Sequence, residues 1–243
     1  METKKYKVWN GDFPVQEPEV LLQEPSVRIP KELEVIAERK CVSPKGVNIY
    51  SIPCAEYDVV RVSFVFHAGV KFQHRPFAAT SVLALLAEGS PHRTAQEIAE
   101  SLDFYGIYFD TSIDRDYAIV TFCSVAKFTE KALEIVSDFL LDPLFPEKEL
   151  VTHRQKRKQE IAMQRAKVDF IAREQFLRAL YGDAHPYGAI YDPAEYDTLT
   201  REDLFAFYRG NYTRDRLFAV ISGVTDQRIV ERVQEVADRF PEG

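Results

Sequence analysis

The chain has 243 residues, a formal net charge of −7 and a pI of about 5.4, with 46% hydrophobic and 28% charged residues. This composition is typical of a globular protein with a hydrophobic core, and the acidic balance argues against a nucleic-acid-binding domain, which is usually basic. We therefore expect no nucleic-acid partner. No apolar run approaches the ~18 residues that a bilayer-spanning helix needs, so we expect no membrane partner either.

The N-terminus and the cysteines bear on location. Residues 1–7 are charged and no apolar segment follows them, so the sequence predicts no secretory signal. The cysteines, Cys41, Cys54 and Cys123, are odd in number and form no CxxC pair. Such cysteines are typical of reduced thiols, and we therefore expect a cytoplasmic protein.

The beginning of the chain differs from the rest. Four prolines interrupt a polar, acidic stretch between residues 14 and 30, and proline breaks both helices and central strands. We predict an extended N-terminal arm over residues 1–40, with a short helix near residues 31–38. The remaining residues, 41–243, are predicted to form a single domain.

Regular elements are predicted from about residue 47 onward. Segments rich in β-branched and aromatic residues predict strands at residues 48–53, 59–67, 107–113, 117–125 and 217–223. Helical periodicity and capping signals predict helices at residues 77–88, 94–106, 129–141, 146–182, 200–209 and 226–240. Thr94, followed three residues later by Glu97, predicts a capping box. The order of elements predicts an α+β fold, an antiparallel-rich β-sheet with helices packed on one face.

Five segments, taken in order, carry a family resemblance. They are VSFVFHAG (62–69), SLDFYGIYFDTS (101–112), ALEIVSDFLLDPLF (132–145), LYGDAHPYG (180–188) and FAVISGV (218–224). Together they resemble the pitrilysin/insulinase family of zinc metallopeptidases, also called inverzincins. The resemblance implies the mitochondrial processing peptidase-like (LuxS-like metallohydrolase) fold. It also implies that this chain is the N-terminal half of a longer two-domain protein.

The catalytic chemistry of that family needs an HxxEH motif on one helix and a glutamate on a later helix. The two histidines and the distant glutamate bind zinc, and the glutamate of the motif activates the metal-bound water. When the chain is aligned with the family at Gly89, the motif positions fall on Thr80, Leu83 and Ala84. None of these side chains is an imidazole or a carboxylate. The resemblance therefore implies a degenerate motif, no zinc cofactor in this chain and no cleavage by this chain alone.

The downstream ligand position is occupied by a glutamate. Glu160 lies in the tripeptide QEI, which resembles the family's EEI. His153 precedes it by two helical turns, so the two side chains could share a helix face. A metal held by His153, Glu160 and a third ligand is one interpretation, and a polar helix face is the interpretation we favour.

Three other features have competing interpretations. The basic run at residues 153–158 is interpreted as a solvated helix face, with a face toward a substrate chamber or an acidic partner as the alternative. Thr80 and Ser81 show no neighbouring His/Asp pattern, so no serine-type nucleophile is predicted. His185, in the HPYG segment, is expected to pack a turn.

The strand at residues 107–112 is the candidate peptide-binding element. The resemblance implies that it lies at the sheet edge, where active members of the family add the substrate as an extra strand. An exposed edge offers backbone donors and acceptors to an extended peptide without a metal. The candidate residues are Tyr108, Phe109, Asp110, Thr111 and Ser112. The alternative is that a neighbouring domain or chain covers this edge.

The family builds a peptide chamber from paired homologous halves. We therefore predict a non-catalytic zinc-peptidase-like subunit or domain that pairs with an HxxEH-bearing homologue and contributes chamber wall and peptide binding to proteolysis. The expected partners are that homologue, which would carry the zinc, a peptide substrate and a missing C-terminal half-domain. The alternatives are a scaffold or peptide-binding protein without a peptidase partner, and an active zinc metallopeptidase with a rebuilt metal site.

Overall fold

The computed structural model describes residues 36–54 and 56–243. Residues 1–35 of the predicted arm, and with them residues 31–35 of the predicted helix, lie outside these ranges. Within that region, residues 36–38 have no regular secondary structure, and the next two residues already belong to the first strand.

A six-stranded sheet organises the described part of the chain. Its strands are β1 (Arg39–Val42), β2 (Asn48–Pro53), β3 (Val59–Phe66), β4 (Tyr108–Ile113), β5 (Ala118–Val125) and β6 (Leu217–Gly223). Their order across the sheet is β1-β2-β6-β3-β5-β4, and every neighbouring pair is antiparallel except β2 with β6. The predicted antiparallel-rich sheet is confirmed, and β1 is the strand that the sequence analysis did not predict.

Seven α-helices lie within the described residues. They are α1 (Ala78–Leu85), α2 (Ala95–Phe104), α3 (Thr129–Leu141), α4 (Glu147–Arg165), α5 (Val168–Tyr181), α6 (Arg201–Asn211) and α7 (Gln227–Asp238). The predicted α+β class is confirmed. None of these helices combines the length and the apolar character needed to cross a bilayer.

Strand β3 shows how the sheet is layered. Val60, Val62 and Phe64 are fully buried, whereas the alternating Arg61 and Ser63 are exposed or half-buried. Because successive side chains of a strand point to opposite faces, one face of the sheet meets the helices and the other face is open.

Helix α1 is buried between the sheet and the other helices. Val82 and Leu86 are fully buried and Leu83 is 4% exposed. Its composition, AATSVLAL, is apolar almost all round, which is the pattern of a core helix. The predicted burial of this helix is confirmed.

The single long helix predicted for residues 146–182 is wrong. The helix is interrupted between α4 and α5, where Lys167 has an extended backbone (φ −97°, ψ 130°). Arg165 holds the break, since its Nη2 donates to the carbonyl of Tyr191 at 3.0 Å and lies 3.4 Å from Glu174 Oε1 on α5. No glycine or proline marks this site, so tertiary contacts determine the break.

Candidate functional site

The three motif positions have different surroundings on helix α1. Thr80 is half-buried and its hydroxyl donates to the carbonyl of Phe77 at 3.0 Å. Leu83 points into the core, and Ala84 is exposed. A leucine and an alanine have no ligand atom, and the threonine hydroxyl is already used in the first helical turn. These residues do not fit a zinc ion.

The backbone that leads into α1 is strained. Phe77 has φ 67° and ψ −2°, the left-handed region that a bulky residue rarely adopts. Its ring stacks on Tyr196 with a centroid separation of 4.1 Å and an interplanar angle of 10°. Just before it, Gln73 accepts a hydrogen bond from the Ala79 amide at 3.2 Å, which satisfies one donor of the first turn.

His153 on α4 faces α1. Its Nε2 lies 3.0 Å from Ser81 Oγ. Burial, together with the nearby charge of Arg157, lowers the pKa of His153 to about 4. The imidazole is therefore neutral near pH 7, and the pair links α1 to α4.

The expectation that Ser81 has no histidine neighbour is wrong. His153 is 72 positions away in sequence, and only the packing of α4 against α1 brings it to Ser81. A serine–histidine pair is the first part of a nucleophilic site. Ser81 is fully buried, however, and it does not line the cavity beside Thr80, so no substrate can reach its hydroxyl. The contact is a structural one.

Glu160 is paired with a cation. Its Oε2 accepts a hydrogen bond from Nη1 of Arg157, one turn earlier on α4, and both side chains are about one-third exposed. Within residues 36–54 and 56–243, no group of three or more His, Cys, Asp or Glu side chains is placed to hold a metal ion. The proposed grouping of His153, Glu160 and a third ligand is therefore not formed there.

A cavity of about 210 Å³ lies beside the motif position at Thr80. Its lining includes Phe77, Thr80, Arg157, Gln164, Arg165 and Tyr196. The Tyr196 ring is fully buried, and its hydroxyl has no hydrogen-bond partner among the described residues. Sequence analysis missed Tyr196 because it lies in a loop-like segment, in the short 3₁₀ helix Pro193–Thr198, with no motif around it.

The candidate peptide-binding strand lies at an edge of the sheet. Strand β4 pairs with β5 alone, and Tyr108, Asp110 and Ser112 are exposed while Phe109 and Thr111 are half-buried. Within the described residues, its other side is unpaired.

The hairpin that joins β4 to β5 indicates which backbone groups of β4 point outward. The Asp114 amide donates to the Tyr117 carbonyl at 2.9 Å, and the strand register continues from this pair without a bulge. Hydrogen-bonded and non-hydrogen-bonded pairs alternate in an antiparallel ladder. The backbone groups of Phe109 and Thr111 therefore point away from β5, toward the open edge.

Comparison with known proteins supports the family resemblance. The sequence profile described as Insulinase (Peptidase family M16) matches residues 78–194. The chain contains an M16-like peptidase domain. A protein named "uncharacterized zinc protease" from Rickettsia felis is 23% identical over 203 residues, which are 82% of this chain and 49% of that protein.

Solved structures agree with the M16 fold. The inactive M16 peptidase domain from Pseudomonas fluorescens superposes with a TM-score of 0.80 at 21% identity, covering 85% of this chain and 51% of that chain. The first half of the periplasmic protease PqqL from Escherichia coli superposes with a TM-score of 0.72 at 15% identity, covering 84% and 46%. This chain spans about half the length of the relatives it matches.

The HPYG segment of the M16 domain packs a turn, as expected. His185 stacks on Tyr181, with centroids 5.3 Å apart, and the Tyr187 hydroxyl donates to Asp116 at 2.6 Å. Asp116 also accepts a hydrogen bond from Lys71. These two hydrogen bonds, with that from Lys71 the stronger, hold the pKa of Asp116 below its usual range.

The basic run of the M16-like domain is a solvated helix face only in part. Arg154 is 18% exposed and donates to the carbonyl of Leu199. Lys158 binds Asp197 at 2.6 Å, and Arg157 is paired within its own helix. These cations attach α4 to the loop before α6 or pair locally. Lys156, in contrast, is exposed.

Proposed function

We propose that this chain is a non-catalytic M16 half-domain that pairs with an HxxEH-bearing homologue and supplies chamber wall and peptide-binding surface. The observation that carries the proposal is the state of the motif. Thr80, Leu83 and Ala84 offer no zinc-binding set, and the residual Glu160 is held by Arg157. The zinc and the catalytic glutamate would come from the partner.

The likeness to neighbours about twice as long as this chain supports a missing partner half. This chain covers 51% of the M16 domain named inactive and 46% of the first half of PqqL, so each of these neighbours continues for about as many residues again outside the match. A second half, either in the same protein or in a separate chain, would complete the chamber.

The edge of strand β4 supports the peptide-binding role. The outward backbone groups of Phe109 and Thr111 can hydrogen-bond with an extended peptide, and the exposed side chains of Tyr108, Asp110 and Ser112 border it. Main-chain pairing gives affinity for peptides in general, which suits a chain without a metal. A covering domain at this edge is the alternative.

We further propose a cytoplasmic location. The three cysteines are unpaired and half-buried, which is compatible with a reducing compartment. Fractionation of the native cells tests this location, and recovery of the protein in the periplasmic fraction would contradict it.

The decisive experiment begins with the full-length protein as bait in its native cells. Recovery of a homologue that carries HxxEH supports pairing. Cleavage of a casein-derived peptide mixture is then measured for each chain alone and for the mixture. The mixture is expected to exceed the partner alone, and this chain alone is expected to be inactive. Chelator-sensitive cleavage by this chain alone would contradict the proposal.

Metal content is a second, independent test. After dialysis against trace zinc, elemental analysis is expected to find far less than one zinc per chain. About one zinc per chain, lost on Glu160→Ala, would favour a rebuilt metal site instead. A chain that binds peptides but never stimulates a peptidase would be the scaffold protein of the second alternative.

A further inference from the structure

We propose that the cavity beside Thr80 is a carboxylate-binding subsite, in which Tyr196 and Arg157 hold a carboxylate group of a peptide. The inference deepens the proposed function by naming the ligand chemistry. It rests on that function only for the peptide nature of the ligand, since binding in this cavity needs no partner chain.

The first observation is an unsatisfied donor. Tyr196 is fully buried and lines the cavity, yet its hydroxyl has no hydrogen-bond partner within the described residues. Buried polar groups are nearly always paired in native proteins, and a buried unpaired group destabilises the fold. The Arg157 side chain interacts with this hydroxyl, but a guanidinium can only donate, so the hydroxyl proton still has no acceptor among the described residues. A ligand that accepts hydrogen bonds would satisfy both groups.

The second observation is an excess of donors around the cavity. Arg157 uses Nη1 for Glu160, and a guanidinium has five N–H donors. Gln164 adds a side-chain amide to the lining, and Arg165 adds a second guanidinium. Glu174, the carboxylate among the described lining residues, is already bonded to Arg165 at 3.4 Å. The cavity therefore favours an anion that accepts several hydrogen bonds, and carboxylate binding by arginine has this geometry.

The third observation is the strained aromatic wall. Phe77 has a left-handed backbone, and its ring stacks on Tyr196 and meets Tyr191 edge-on at 5.9 Å. Strain of this kind concentrates at ligand-binding sites, because the surrounding structure must hold it in place. Here the strain positions an apolar wall next to the donors, which suits the carbon atoms adjoining a carboxylate.

The size of the cavity limits the ligand. A volume of about 210 Å³ holds a carboxylate and a few carbon atoms, but not a length of peptide. The carboxylate could be the C-terminus of a peptide or an Asp or Glu side chain. Both sources share the same chemistry, and the experiment separates them.

The experiment measures binding of short acetylated peptides to the full chain by titration calorimetry. One probe ends in leucine with a free carboxylate, the second is its amide, and the third is an amide with glutamate in the last position. At least one carboxylate probe is expected to bind about tenfold more tightly than the neutral amide. The tighter of the two identifies the source. Equal affinity for all three probes, or no binding of any, would overturn the inference.

Two matched variants connect binding to the cavity. Tyr196→Phe removes the unpaired hydroxyl and keeps the stack on Phe77, so the affinity for the carboxylate is expected to fall about tenfold while the urea midpoint does not fall. Tyr212→Phe is the control, because Tyr212 is also fully buried with an unpartnered hydroxyl but does not line the cavity. Its affinity is expected to equal that of the wild type.

Arg157→Lys is the second test of the donors. It keeps the charge and the possibility of pairing with Glu160 but loses the planar fork, and it is expected to weaken carboxylate binding by a similar factor. If Tyr196→Phe binds as tightly as Tyr212→Phe, the inference is wrong even when the partner assay succeeds. If carboxylate binding is found and no partner is stimulated, the proposed pairing fails and the subsite stands.

Discussion

The α1–α4 contact and the β4 edge are opposite in what they leave available. Between α1 and α4, His153 is bonded to Ser81, Glu160 to Arg157, and Leu83 is packed in the core. Along β4, the outward backbone groups have no partner within the described residues. The first region has used its polar side chains for packing, whereas the second still offers hydrogen bonds.

Under the proposed function, this difference separates the requirements of cleavage from those of peptide recognition. Cleavage by the HxxEH chemistry depends on a few side chains at fixed positions, and Thr80, Leu83 and Ala84 carry neither an imidazole nor a carboxylate. Recognition through backbone pairing depends on the sheet itself, and no single side chain carries it. The proposed peptide binding at β4 therefore depends on the fold of the sheet and not on the residues at the motif positions.

The largest expected effect comes from rebuilding the motif. Leu83→Glu places a carboxylate at a 4% exposed position, and the free energy of unfolding is expected to fall by roughly 3 kcal/mol or more. Urea unfolding measures it. Ala84→His at the neighbouring exposed position is the control, with an expected change within about 0.5 kcal/mol. A Thr80→His, Leu83→Glu, Ala84→His variant with wild-type stability and one zinc per chain would contradict this comparison.

The next effect concerns pH. The pKa of His153 is about 4 in the folded chain and 6.5 is its ordinary value, so the unfolded state binds more protons between these values. The contribution of neutral, buried His153 to the free energy of unfolding is therefore fully present above pH 6.5. It falls by about 2 to 3 kcal/mol as the pH decreases toward 4. Urea unfolding at pH 7.5 and 4.5 is compared for the wild type and His153→Gln. The variant is expected to lose less stability on acidification, and an equal loss would show that His153 is not buried as described.

A smaller effect tests the basic run. Arg154→Gln removes the donor to the Leu199 carbonyl, and the free energy of unfolding is expected to fall by about 1 to 3 kcal/mol. Lys156→Gln, on the exposed side of the same helix, is expected to change it by less than about 0.5 kcal/mol. If the two variants are equally stable, the Arg154 contact contributes nothing to folding. The basic run would then be available to attract an acidic partner.

The smallest effect on stability is expected at the edge strand. Thr111→Pro removes an outward N–H while the ladder with β5 stays intact, so unfolding is expected to shift by less than about 1 kcal/mol. Peptide-dependent stimulation of the partner is expected to fall at least twofold, again by an order-of-magnitude estimate. Thr111→Ala keeps the N–H and is the control. Full stimulation by the proline variant would remove β4 from the peptide site.

The elements predicted well from the sequence are those with local signals. The capping box of Thr94 and Glu97 is present at the start of α2, and the alternation of β3 fixes its buried face. The degenerate motif was also visible, because a helix position without a ligand atom can be read from the sequence. In each case the signal and the structure lie within a few residues of each other.

The rest depends on contacts between distant segments. The break between α4 and α5 is held by Arg165 and the Tyr191 carbonyl, and the Ser81–His153 pair forms only when α4 packs on α1. Tyr196 reaches the cavity from a loop with no pattern of its own. Periodicity and capping signals contain no information about such pairings.

The position of β6 has a consequence for biosynthesis. Strands β2 and β3 are consecutive in the chain, yet β6 lies between them, with Ile49 opposite Ala219 and Val62 opposite Ile221. Until residues 217–223 have been synthesised, β2 and β3 each lack the neighbour that β6 provides in the folded sheet. Unpaired strand edges promote aggregation, so we expect a chain truncated before β6 to aggregate more readily than the full chain.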